Sequence, residues 1–192
     1  MILLDFDRTL FDTDAFYKFL INEEACAAYK DELAILFEKK REKVFSTEDE
    51  RTKLLDRITA SIVDGSLQFP PGSLTQFLYP DVVLFLKSME NNAIVITHGE
   101  RVRQQAKVEG ALSGIPRLTI WYTELAPKAE FLAHTTAWLG PKPLLVDDLP
   151  QELERVNVTR PDFTLIEMRR DREKGDGRWP VAHSLGELPS RW

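Results

Sequence analysis

Met1-Ile2-Leu3-Leu4-Asp5-Phe6-Asp7-Arg8-Thr9-Leu10 is the stretch that decides the fold. Four apolar residues in succession leave no polar face, which is the pattern of a strand buried on both sides rather than of a half-exposed one. The run ends abruptly on two acids separated by one residue. Comparable short runs recur as Ala93-Ile94-Val95-Ile96, Leu118-Thr119-Ile120-Trp121, Pro143-Leu144-Leu145-Val146 and Phe163-Thr164-Leu165-Ile166, with helical patterns between the later ones. That alternation predicts an α/β, Rossmann-like three-layer core around a mainly parallel sheet.

Between Leu4 and Ala93 the chain is too long for a single crossover and holds no convincing strand, so it must carry an insertion. Residues 14 to 64 read as helices, because Phe16, Phe19 and Leu20, then Leu33, Leu36 and Phe37, then Leu54, Leu55, Ile58 and Ile62 recur at spacings of three and four. Thr47 and Glu50 have the form of a capping box opening the third helix, and Gly65 closes it. Phe69-Pro70-Pro71-Gly72-Ser73 reads as the return linker. The expected organisation is a core of residues 1–13 and 70–192 with a helical insertion over 14–69. The insertion's apolar stripes are expected to pack mainly against each other as a separate small bundle. Further helices are expected over 81–90, from Gly99 to Gly110 with Gly110 just past its end, over 126–138 and over 151–156. Residues 169–178, almost wholly polar, read as an exposed loop.

A 192-residue chain with 25 Lys+Arg against 31 Asp+Glu, a formal charge of -6, argues against nucleic-acid binding through a general basic surface. Cys26 is the only cysteine, so neither an intramolecular disulfide nor a cysteine metal cluster is possible, which fits a reducing cytoplasm. No apolar stretch approaches the roughly 20 residues needed to cross a bilayer, and the first residues lack a signal-peptide layout. The expectation is a cytoplasmic protein, monomer or weak homodimer, without membrane or nucleic-acid partners.

In an open parallel sheet, ligands bind at the carboxyl ends of the strands. The residues placed there are Asp5 and Asp7, then Thr97, then Lys128 after the third strand, then Asp147 and Asp148. Carboxylates crowded at one edge repel unless a cation lies between them, and hard oxygen ligands at that density suit Mg²⁺. An isolated Asp-x-Asp-x-Thr could instead open a calcium loop. That loop needs a preceding helix and Gly at its sixth position, where this chain has a strand and Leu10.

Asp5-Phe6-Asp7-Arg8-Thr9-Leu10, Thr97, Lys128 and the pair Asp147-Asp148, in order at successive strand ends, resemble the four signature motifs of the haloacid dehalogenase (HAD) superfamily. The resemblance spans essentially the whole chain and implies a HAD-like core. The insertion would be an α-helical cap of the C1 type, folded over the site and reading the leaving group. It implies Asp5 as nucleophile forming an aspartyl-phosphate and Asp7 as general acid and base. The Thr97 hydroxyl and the backbone N–H of His98 or Gly99 would hold phosphate, and Lys128 would pair with Asp5 and the phosphate. Mg²⁺ would be bound by Asp5, Asp148 and the Asp7 carbonyl, with Asp147 a ligand directly or through water and Glu152 supporting that shell. Lys107 is a rival for the active-site lysine. Arg8 stands where many relatives carry Gly, as a substrate contact or a solvated side chain. The expected function is a Mg²⁺-dependent phosphomonoester hydrolase of a small phosphorylated metabolite. The alternatives are a phosphomutase, another HAD chemistry using a cap lysine among Lys18, Lys30 and Lys39, or a catalytically idle binding domain.

Overall fold

Each apolar run forms a strand. β1 (Ile2–Asp5), β2 (Ala93–His98), β3 (Thr119–Thr123), β4 (Leu144–Asp147), β5 (Thr164–Met168) and β6 (Val181–Ala182) make one sheet in the order β3-β2-β1-β4-β5-β6, with every neighbouring pair parallel. The computed structural model describes residues 1–41, 48–89, 91–124, 126–135, 139–140, 142–175 and 177–189, the side chains of 36–41 and 48–51 excepted.

Successive strand side chains point to opposite faces, and the burial follows that period. Ile2, Leu4, Ala93, Val95, Leu144 and Val146 belong to one apolar cluster, whereas Leu3, Ile94, Ile96 and Leu145 belong to the other. Both faces are therefore covered, which is why the runs are continuous rather than alternating. Full burial of each such Leu, Ile or Val contributes about 1.5–3 kcal/mol.

The helices are α1 (Thr13–Leu20), α2 (Lys30–Arg41), α3 (Glu48–Val63), α4 (Val82–Met89), α5 (Arg101–Leu112), α6 (Lys128–Ala133) and α7 (Pro150–Thr159). Residues of α6 and α7 cover one face and residues of α4 and α5 the other, and residues of the inserted α1–α3 belong to the same apolar cluster as that second face. Asp12 caps α1, its carboxylate accepting from the Ala15 N–H at 2.9 Å. The insertion is not packed only on itself. Phe16, Leu20, Leu33, Leu54 and Ile58 lie in the same cluster as Ile2 and Leu4. The Phe16 ring meets Phe11, Phe69 and Phe77 at 5.3, 5.4 and 5.8 Å between centroids, joining the start of the insertion to its return linker.

Several expectations need correction. Gly110 lies inside α5, not past its end. A Cβ there would come within 3.0 Å of Leu74 and 3.2 Å of Phe69, so close packing rather than termination accounts for the glycine. The helix expected over 126–138 is α6 alone, and residues 136–138 lie outside the described residues, as does Thr47 of the expected capping box. β6 was not foreseen, because two residues carry too little pattern. The polar stretch from Arg169 is not uniformly exposed. The Arg170 side chain is 8% exposed; it donates to the Thr9 carbonyl at 2.9 Å and to Asp81 at 2.8 Å, and its guanidinium lies 4.5 Å from the Tyr79 ring centroid. Among the described residues no helix is long and apolar enough to cross a membrane.

Candidate active site

The order of the strands reverses at β1, with β2 on one side and β4 on the other, so the crevice outside their carboxyl ends is where a ligand is expected. β1 ends on Asp5 and β4 on Asp147. After Asp5 the chain turns sharply. The Leu10 and Phe11 N–H groups both donate to the Phe6 carbonyl at 3.0 Å, and the Arg8 N–H donates to the Phe11 carbonyl at 2.7 Å. Arg8 takes a left-handed φ of 60°, a conformation that costs a side-chain-bearing residue about 1–2 kcal/mol. The turn keeps Asp7 at the same edge as Asp5.

Asp5, Asp147 and Asp148 bring carboxylate oxygens within 4.8 Å of one another. Lys128, the first residue of α6, reaches between two of them, donating to Asp5 Oδ1 at 2.5 Å and to Asp147 Oδ2 at 2.6 Å with its side chain 3% exposed. Asp147 also accepts the Leu149 N–H at 2.9 Å. Asp5 Oδ2 is buried without a hydrogen-bond partner. Burial, followed by the charge of Asp147, pushes the Asp148 carboxyl up to about 7. Burial likewise pushes Asp5 well above the usual carboxylate range, although Lys128 opposes it. Burial would depress the Lys128 ammonium, yet Asp147 and Asp5 outweigh it and hold it well above its ordinary value.

Asp7 is held apart from that triad by three donors. Lys107 Nζ donates to both its oxygens, at 2.6 and 2.8 Å; Thr13 Oγ1 donates to Oδ1 at 2.6 Å and Gln104 Nε2 to Oδ2 at 3.1 Å. Burial alone would raise the Asp7 carboxyl, but the Lys107 charge and these bonds drive it far below the usual range. The same burial draws the Lys107 ammonium downwards. Sequence reasoning set Lys107 and Lys128 against each other for one role. The structure brings both to the site, one on each motif carboxylate. Gln104 and Thr13 were missed, although Gln104 and Lys107 are three residues apart and so share a face of α5.

His98 and Gly99 line the cavity of about 330 Å³ together with Asp5, Asp7, Arg8, Lys107, Lys128, Asp148 and Glu152, and α1 and α3 contribute Tyr17, Thr52 and Leu55. Thr97 is not on that wall. It is 1% exposed and its hydroxyl is buried without a partner. His98 Nδ1 is engaged by the carbonyl and hydroxyl of Thr123, so its ring is turned to the edge strand. Gly99, at φ +134°, supplies a backbone turn that a Cβ would crowd against Gln104 at 3.1 Å. Arg8 pairs with Asp14 at 3.0 Å and lies 3.9 Å from Asp148, so it is at the site and not merely solvated. Glu152 Oε1 pairs with Arg155, and Oε2 is buried without a partner.

No protein-family model matches the sequence, and no curated protein matches it. Solved structures do. A protein from Burkholderia xenovorans LB400 described as a haloacid dehalogenase-like hydrolase superposes with a TM-score of 0.62 at 17% identity, covering 96% of this chain and 92% of its own. The fold is that of the HAD-like hydrolases. A dehalogenase with a bound intermediate matches with a TM-score of 0.51 at 12% identity over 97% of this chain and 89% of that one. A Thermotoga maritima protein described as a beta-phosphoglucomutase matches with 0.53 at 10% identity over 91% and 88%. Similar structures described as a dehalogenase and as a phosphoglucomutase mean that the reaction has to be argued from the side chains.

Proposed function

We propose that this HAD-like chain is a Mg²⁺-dependent phosphomonoester hydrolase that works through an aspartyl-phosphate on Asp5. The observation that carries the reading is the convergence of Asp5, Asp147 and Asp148 within 4.8 Å beside Lys128, with Asp7 in the same cavity. The donor set fits the ion: three hard carboxylates, one of them with a buried orphan oxygen, and two of them pushed up by burial and mutual repulsion. Asp5 and Asp148, with the Asp7 carbonyl, would hold Mg²⁺, and Asp147 would support it. Bound there, the ion would neutralise phosphoryl charge and orient the group for in-line attack.

The chain's own groups account for the rest. Asp5 attacks phosphorus as the P–O bond to the leaving oxygen breaks, and Asp7, which must first take up a proton at an oxygen released by one of its donors, passes that proton to the departing alkoxide. Asp7 then takes a proton from a water that attacks the aspartyl-phosphate, releasing phosphate and regenerating Asp5. Lys128 offsets charge at Asp5, and the N–H groups around His98 and Gly99 cradle phosphate oxygens. A halide departs without a proton, so dehalogenation would leave Asp7 idle. We read α1 to α3 as a cap that excludes water from the aspartyl-phosphate and contacts the leaving group through Tyr17, Thr52 and Leu55. A cavity of about 330 Å³ suits a small phosphorylated metabolite.

The test is hydrolysis of an aryl phosphate with and without Mg²⁺ in wild type and Asp5→Asn. Wild type is expected to turn over only with the metal, and hydroxylamine should trap an acyl phosphate. Asp5→Asn is expected to lose turnover by at least 10³-fold while its circular dichroism is unchanged. An active Asp5→Asn protein would refute the mechanism.

A further inference from the structure

We propose that Lys107 is the positioning residue for Asp7, and that with Gln104 and Thr13 it fixes the Asp7 carboxylate between the phosphate loop and the start of the inserted helices. The inference rests on the hydrolase reading above, in which Asp7 moves the proton.

Two oxygens of an ionised carboxylate offer about four acceptor directions. At Asp7, Oδ1 accepts from Lys107 and Thr13, and Oδ2 accepts from Lys107 and Gln104. Four bonds from three side chains on two helices, α5 and α1, leave the carboxylate one orientation. Each donor is itself fixed. Lys107 is 3% exposed and its Nζ lies 5.6 and 5.9 Å from the ring centroids of Phe6 and Phe11, so its stem cannot swing into water. Gln104, 4% exposed, uses the same Nε2 to donate to the His98 carbonyl at 3.0 Å, tying Asp7 to the loop that would hold phosphate. Thr13 is the first residue of α1, so the third bond ties Asp7 to the point where the chain leaves the core.

Lys128 cannot substitute for this clamp, because its ammonium is committed to Asp5 and Asp147. The site thus has two buried lysines with divided duties, one neutralising the nucleophile and one aiming the proton carrier. A carboxylate misplaced by about 1 Å can cost about 10²-fold in rate. Loss of Lys107 should therefore appear in kcat through Asp7 and not in phosphate binding.

The experiment compares wild type, Lys107→Met, Asp7→Asn and the double variant on p-nitrophenyl phosphate and on an alkyl phosphate such as glycerol phosphate. Lys107→Met is expected to lower kcat about tenfold to hundredfold on the alkyl ester; on the aryl ester, whose leaving group needs no proton, only the water-activating step that Asp7 also serves should slow, and KM should change less than about threefold on both. In the Asp7→Asn background the same substitution should cause no further loss. Gln104→Leu, which removes one bond, serves as the milder variant should Lys107→Met fail to fold, and should show a smaller kcat loss that also vanishes with Asp7→Asn. An equal loss in the Asp7→Asn background, or a rise in KM with kcat unchanged, overturns the proposal. Crystal structures of the same proteins separate its failure from that of the hydrolase reading. If wild type hydrolyses no phosphoester the hydrolase reading falls. The positioning claim then stands or falls on whether the Asp7 carboxylate leaves its wild-type orientation in the Lys107 or Gln104 variant.

Discussion

Asp148→Asn should stabilise the metal-free protein at high pH and destroy its response to Mg²⁺. Burial and the neighbouring Asp147 raise the Asp148 carboxyl from 3.8 to about 7, while Arg8 and Lys128 pull the other way. Below the lower value Asp148 is protonated whether the chain is folded or not, and its charge costs folding nothing. Between the two values the unfolded chain gives up the proton first, so stability falls as pH rises, and above about 7 the whole penalty is present. At about 1.4 kcal/mol for each pH unit of separation the ceiling is about 4 kcal/mol. Relaxation of the site and residual hydration, with 14% of the side chain exposed, bring the expected value to about 2 kcal/mol. In a chain of this size that is a rise in Tm of about 4–8 °C. Melting wild type and Asp148→Asn in EDTA from pH 4 to pH 8 should show no difference at the acid end and the full gain at the alkaline end. Added Mg²⁺ should then raise the melting point of wild type at pH 8 and leave the variant unmoved. A variant less stable than wild type at pH 8 in EDTA, or a gain of equal size at pH 4, would refute the account of the triad as a preformed, repelling cation site.

Lys128→Met leaves Asp5 and Asp147 buried without their shared counter-ion and should lower stability by about 3–5 kcal/mol in urea titrations, with Mg²⁺ recovering part of the loss; an unchanged midpoint would contradict it. Gly110→Ala gains about 1 kcal/mol of helix propensity but drives a methyl to 3.0 Å from Leu74. Overpacking of about 1–3 kcal/mol should win, so the melting temperature should fall.

How much was legible in the sequence depended on how local the signal was. Strands buried on both faces announce themselves as apolar runs, so β1 to β5 and the acids at their ends were placed correctly. β6 pairs only Glu167 with Val181 and Met168 with Ala182, and two such residues make no pattern. The structure brings together Asp5, Lys128, Asp147 and Asp148, which the sequence placed at one edge because strand ends, and the helix start that follows β3, converge by topology. Lys107 could not be assigned, since its partner lies 100 residues away and depends on how α5 packs against the turn after Asp7. Thr97 was expected on the wall because strand alternation does not reveal how deep a side chain sits, and it proves to be enclosed. Gly110 misled for a related reason. A glycine inside a helix reads as a stop unless the neighbour that excludes its Cβ is known, and Leu74 and Phe69 are distant in sequence.

Arg170 gives the molecule a chronology. Asp5, Asp7, Asp147 and Asp148 have all been synthesised once the ribosome passes Asp148, but the Thr9 carbonyl in the turn that carries Asp7 has not yet met its side-chain donor. Its brace arrives later, when the Arg170 guanidinium reaches the Thr9 carbonyl and Asp81, and Asp81 in turn takes the Leu185 N–H at 2.7 Å. The nascent chain thus carries these acids before it carries this last brace on their turn, which is complete only once the residues through Leu185 have emerged.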